Sequence, residues 1–125
     1  MEIPMKLACL SAACLLALTT MAAADQPLTS YTARLSSQDH FNSNGERLAS
    51  VAAIIRQDRA NYYVYGNRDA EDEGDSFFAI KTNRERLEGL LNNGRISASA
   101  EDAILNSSPL IHVDVYDNFI AVTVE

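Results

Sequence analysis

The sequence predicts an α+β fold: a largely antiparallel sheet with helices packed on one face, in the order β-α-β-β-α-α-β-β, closing on a C-terminal β-hairpin. Three observations carry this. Leu48, Val51, Ala52 and Ile55 recur at i, i+3, i+4 and i+7, the spacing of one buried helical face. Ile111, Val113 and Val115 alternate with polar residues, and Ile120, Val122 and Val124 resume the alternation after Asp117-Asn118. Between these two stretches lie further short apolar runs separated by polar connections, too many for a purely helical or purely β chain.

The chain opens with a different kind of segment. Met1 to Lys6 carries one lysine, Leu7 to Met21 is apolar apart from Ser11, Thr19 and Thr20, and Ala22-Ala23-Ala24 places small residues before Asp25. This is the three-part pattern of a secretory signal, with residues 1–24 expected to be cleaved. A membrane anchor is the other reading, but the apolar run is short for a span and the small-residue site follows it directly. Acylation at Cys14 is a further alternative, against which Ser11 stands where that pattern wants leucine. Cys9 and Cys14 both lie inside the segment, so the exported part, residues 25–125, has no thiol. Its location is expected to be periplasmic or secreted. One domain is the natural count for a chain of this length. Lys6 and Glu2 leave together, so the net charge stays at −7. That balance disfavours nucleic acid and anionic membrane surfaces, no stable membrane insertion is expected once the signal is removed, and a basic protein becomes the favoured partner.

The elements follow in order. Within Leu28–Ser36, Tyr31, Ala33 and Leu35 alternate with Thr32 and Arg34, which predicts a first strand. The polar connection 37–44 ends in Asn44-Gly45. Ser43 and Glu46 have capping-box spacing, so a helix is expected over 46–60. Tyr62-Tyr63-Val64-Tyr65 is aromatic and β-branched and predicts a strand at 61–66. An acidic loop, 66–75, leads to a returning strand at 76–81. Thr82 and Glu85 would cap a helix carrying Leu87, Leu90 and Leu91, which Asn93-Gly94 ends. Ser99 would cap a shorter helix through Ile104, broken at Pro109. In the final hairpin a two-residue loop sets Val115 opposite Ile120, Val113 opposite Val122 and Ile111 opposite Val124. The expected core is Leu35, Leu48, Val51, Ile55, Phe78, Leu87, Leu91 and these six.

Asp69, Glu71, Asp72, Glu73 and Asp75 crowd five carboxylates into one loop. Clustered oxygens suit a hard cation. Aligned as an EF-hand with Gly74 at the turn, however, the loop places Ile80 where a bidentate glutamate is needed, so no metal is expected. The usual reading of such a run is a solvated face; the sharper one is a contact for a basic partner. Arg56 and Arg59 sit near a helix C-terminus, where they favour the dipole. Their alternative role, with Asn61, is to grip a partner beside the acidic loop. Tyr63 is expected to face away from Tyr62 and Tyr65 and to serve as a contact anchor. Tyr116 and Phe119 form a second candidate patch.

Catalysis has little to rest on. His40, with Asn42, Asn44 and Glu46, has the spacing of a loop plus a cap as much as that of a hydrolytic cluster. His112 stands two residues from Asp114 on one face of a strand, without a Gly-x-Ser-x-Gly elbow. No Walker motif, dinucleotide fingerprint or zinc spacing occurs, and no cofactor is expected. The chain therefore reads as a small exported acidic binding protein of the bacterial envelope, with inhibition of, or immunity against, a basic partner as its form. A metal-dependent or histidine-based hydrolase and an assembly module using the last hairpin's edge are the alternatives.

Overall fold

The computed structural model describes residues 26–125, so the expected signal at 1–24 lies outside the described residues. Among the described residues nine elements of regular structure follow one another. Strand β1 is Thr29–Arg34, helix α1 is Val51–Ala60, helix α2 is Lys81–Arg84 and helix α3 is Leu87–Asn92. Helix α4 is Ala98–Asn106, and strands β2, Leu110–Val115, and β3, Ile120–Val124, complete the chain. A 3₁₀ turn at Ser37–His40 follows β1, and a π-helical turn at Asn61–Tyr65 extends α1. The strands form one antiparallel sheet in the order β1-β2-β3. The α+β class and the C-terminal hairpin are as predicted.

The hairpin register is the one the alternation requires: Val115 opposite Ile120, Val113 opposite Val122 and Ile111 opposite Val124. A one-residue slip would have sent every aliphatic chain to the solvent face. Tyr31, Ala33 and Leu35 join these residues on the inner face, where Ile54 and Ile55 of α1, Leu87 and Leu90 of α3 and Ile104 of α4 cover them. Ser30, Thr32, His112 and Asp114 occupy the opposite face. Val124 is 36% exposed, at the end of β3, where it departs from the expected core. Leu48 and Leu91 are half-buried against the core's margin.

Four boundaries differ from expectation, each for a local reason. The helix does not begin at Glu46. Asn42 Oδ1 accepts from the backbone N–H of Asn44 and of Glu46 at 3.0 and 2.9 Å, which closes a turn. Gly45 takes φ +75°, a left-handed conformation incompatible with a helix. Ser50 then caps α1 by accepting from the Ala53 N–H at 3.1 Å.

The expected strand at 61–66 is the π turn instead. The aromatic run has no two-residue alternation, and its rings pack beside Arg59, at 4.9 Å for Tyr62 and 5.7 Å for Tyr63. Propensity yields to that packing.

The expected strand at 76–81 is a set of turns leading into α2. Asp75 Oδ2 accepts from the Phe78 N–H at 2.6 Å, and Phe78 is buried. An antiparallel partner at 61–66 does not exist for it. The capping residues also shift. Ile80 precedes α2 without a side-chain cap, and Ser97 rather than Ser99 caps α4, accepting from the Ala100 N–H at 3.1 Å.

Candidate functional site

In this sheet β1 is an edge strand, and its free backbone groups need partners or covering. The acidic loop supplies them. Glu73 Oε1 accepts from the Thr32 N–H at 2.8 Å, the Glu73 N–H donates to the Thr32 carbonyl at 2.8 Å, and Asp72 Oδ1 accepts from the Arg34 N–H at 2.9 Å. Carboxylate oxygens here stand where a neighbouring strand's carbonyls would be. Asp72 Oδ2 also closes the loop on itself by accepting from the Asp69 N–H at 2.8 Å. Glu71 meets the Arg34 guanidinium at 3.2 Å on the surface. The loop is thus fastened along an edge, and only part of its charge faces outward.

Beneath the loop lies a buried charged cluster. Arg59 is 0% exposed and Asp58 1% exposed. Arg59 Nε donates to Asp58 Oδ2 at 2.8 Å, and its Nη1 donates to Asp75 Oδ1 at 3.0 Å and to the Glu73 carbonyl at 2.9 Å. The guanidinium carbon stands 3.9 Å from the centre of the Tyr31 ring. Tyr63 Oη donates to the Asp75 carbonyl and accepts from the Asp75 N–H. Burial raises the pKa of the Tyr63 hydroxyl, and burial raises that of Tyr31 well above the ordinary phenol range. Both phenols therefore stay neutral beside the carboxylates.

Asp58 behaves differently from an ordinary ion-pair partner. Burial pushes its pKa up to about 8, Arg59 pulls it back, and the charges of Asp39 and Asp72 add to the rise. In the unfolded chain the value is about 3.9. Between those limits the folded chain holds a proton that the unfolded chain does not. The stability this contributes is fully present below the unfolded value and is lost as pH rises toward the folded one, by at most about 1.4 kcal/mol per pH unit. Buried Asp39, also raised first by burial, acts with the same sign. Asp58→Asn keeps an oxygen acceptor for Arg59 and removes the titration. Urea unfolding between pH 5 and 8 should show a flatter dependence for this variant, with stability at pH 8 equal to or above that of the parent. An unchanged slope would refute the assignment.

The predicted contact residues accordingly divide. Asp69, Glu71, Asp72 and Glu73 sit together along the β1 edge, and Arg56 is exposed on α1. Arg59 and Asp75 are buried and Tyr63 is tied to Asp75, so these three hold the loop down and are corrected from contact residues to structural ones. Asn61, placed with the arginines at a partner groove, is buried too and donates to Asp39 Oδ1 at 2.8 Å. At the end of α1 Arg59 thus meets Asp58 in the interior instead of standing at the surface. The roles of Asp39 and of the buried Asp58 were missed. The phase of α1 could have found the second: Val51, Ile54, Ile55 and Asp58 continue one stripe at helical spacing, with Arg59 beside it.

Both histidines have hydrogen-bond partners, and His112 Nδ1 lies 3.4 Å from Thr32 Oγ1. His40 is buried, with Nδ1 2.8 Å from the Ser36 carbonyl and Nε2 2.7 Å from the Ile104 carbonyl. His112 Nε2 lies 3.0 Å from Asp114 Oδ1, an oxygen that also accepts from Ser30 Oγ at 2.6 Å. The Ser30 hydrogen bond first, and then His112, lower the pKa of Asp114. Tyr116 and Phe119 stack on each other with ring centres 4.3 Å apart. Among the described residues no group of His, Cys, Asp and Glu side chains converges as a metal site, and no described helix is long and apolar enough to cross a membrane. Compared with protein-family models, with curated proteins and with solved structures, the chain matches none.

Proposed function

We propose that this chain is a small exported acidic binding protein of the bacterial envelope, acting as an inhibitor or immunity protein toward a partner with a basic surface. One observation supports this above others: the acidic loop is immobilised on the β1 edge and over a buried arginine, so its outward carboxylates are presented without a large ordering cost. A net charge of −7 steers a cationic partner toward such a face and suppresses anionic ones.

Glu71 is the residue on which to test it. Its contact with Arg34 is at the surface, and exposed pairs of this kind contribute at most about 1 kcal/mol, so replacing it leaves the fold intact. Immobilised protein should retain a basic protein from envelope extract at low salt. Glu71→Lys, and separately 0.5 M salt (about a 4–5 Å Debye length), should each release it. Failure to retain any protein, or retention indifferent to both changes, would overturn the proposal.

A further inference from the structure

A depression of about 430 Å³ opens on the other flank of α1, between the 41–47 turn and the π turn. Its size falls in the range of small-molecule sites. None of the residues lining it is charged, although charged residues make up 22% of the chain. Its polar groups are side-chain amides, chiefly Asn42, Gln57, Asn61 and Asn67, and its aromatic members are Phe41 and Tyr65.

The floor of this cleft is ordered by a relay of hydrogen bonds. Asp39 Oδ2 is occupied by the Ser36 N–H at 3.0 Å, and its Oδ1 accepts from Asn61 Nδ2 at 2.8 Å. That contact fixes which end of the Asn61 amide is which, and Asn61 Oδ1 in turn accepts from Gln57 Nε2 at 2.9 Å. The Gln57 carbonyl and its second N–H are left over, an adjacent acceptor and donor on a side chain whose orientation is already set. The Asn42 Oδ1 is likewise taken by two backbone N–H groups, and one N–H of its amide reaches Glu46 Oε1 at 3.4 Å, which leaves the other.

The π turn contributes the rest. Such turns are uncommon and occur often at functional sites. This one buries Asn61 in the floor and, four residues later, leaves Tyr65 57% exposed at the rim. Uncharged, bidentate amides beside an exposed aromatic ring match a ligand with vicinal hydroxyls on one edge and C–H groups on its face. The borders of the cleft are turns and helix ends with one β-bridge, Phe41 to Arg47, so an extended peptide finds no strand edge along which to pair.

We propose that this cleft is a binding site for a neutral saccharide, with Gln57 and Asn42 contacting hydroxyl groups, Tyr65 stacking on a sugar face, and Asp39 and Asn61 acting as positioning residues. The cleft shares Asn67 with the 66–75 segment but none of its carboxylates, so the two proposals stand or fall independently.

The test is a titration of the ¹⁵N-labelled full exported chain, residues 25–125, with N,N′-diacetylchitobiose, cellobiose and maltotriose, and with trialanine as the peptide probe. The expected result is saturable movement of the Gln57 and Asn42 side-chain amide signals with at least one saccharide. Affinity should fall by about tenfold in Gln57→Ala, the order expected for one well-placed hydrogen bond. It should fall similarly in Tyr65→Ala, while Glu71→Lys leaves it unchanged. Tyr65 is exposed, so Tyr65→Ala should keep the parent's melting temperature and carries the test if Gln57→Ala, which orphans Asn61 Oδ1, lowers it. The proposal is overturned if no saccharide moves those signals at 20 mM (about 2 kcal/mol weaker than a 1 mM site), if trialanine moves them equally, or if both substitutions leave the affinity unaltered.

Discussion

Arg59→Met should destabilise the fold by about 3–5 kcal/mol, the usual cost of removing one partner from a buried charge cluster. A small domain is stable by about 5–15 kcal/mol in total, so the variant is expected to melt near working temperatures. The argument lies in what is left behind. Methionine fills much of the space but donates nothing. The Glu73 carbonyl loses its donor, Asp58 loses its only charged partner, and Asp75 keeps the Tyr63 and Phe78 contacts alone. Asp58, whose pKa is already pushed up to about 8 beside Arg59, holds its proton still more firmly without that cation. Asp75 lies under the acidic loop, so its loss of Arg59 also loosens the cover of the β1 edge. Two further variants separate charge from volume. Arg59→Lys keeps the cation and gives up the fork that reaches both carboxylates, and should recover only part of the loss. In Arg59→Met combined with Asp58→Asn, the penalty should be smaller than the sum of the single changes. Urea unfolding at pH 7 checks all three. A loss below about 1 kcal/mol for Arg59→Met would mean that the cluster is not what holds the loop to the domain.

That cluster also marks where reading the sequence reached its limit. The first strand and the terminal hairpin were legible because alternation against a single buried face permits one register. Strand β1 and the pairing of Ile111, Val113 and Val115 with Val124, Val122 and Ile120 followed directly. The middle of the chain was not legible in the same way. Asn42 diverts two N–H groups into a turn, which moves the start of α1 from Glu46 to Val51. With the start displaced, the buried stripe was assigned to Ala52 instead of Ile54, and its continuation into Asp58 and Arg59 went unseen. The tyrosine run 62–65 looked β-forming because strand propensity rewards aromatic packing, and here the packing is against a guanidinium at the end of a helix. For the candidate contact surface, composition identified the acidic loop but could not separate outward charge from charge spent on an edge strand. Glu73 and Glu71 are the same residue type two positions apart. Only the sheet's strand order explains why Glu73 bonds to the backbone of β1 while Glu71 meets just the Arg34 side chain on the surface.

Gly94→Ala should be the most damaging of the small-to-large changes, with a loss of about 2–4 kcal/mol from overpacking together with broken hydrogen bonds. A Cβ at this position would stand 1.8 Å from the Ile120 carbonyl oxygen. That oxygen is not free to retreat. It accepts from the Arg95 N–H at 3.1 Å, and the Arg95 carbonyl accepts from the Val122 N–H at 2.9 Å, so the segment after α3 is stitched in parallel to the outer edge of β3. Relieving the collision means pulling that segment off the strand, which loses both bonds and uncovers an edge able to pair with another molecule. Gly89→Ala is the matched control. It lies within α3 and its added methyl would meet nothing within 4 Å, so it should stabilise the chain by about 0.5–1 kcal/mol through helix propensity and a less flexible unfolded state. Thermal melts should therefore move in opposite directions for the two alanines, and light scattering should show association only for Gly94→Ala. Equal melts would imply that the 94–96 segment contributes nothing to holding β3 in place, and that the sheet closes on the strength of its inner face alone.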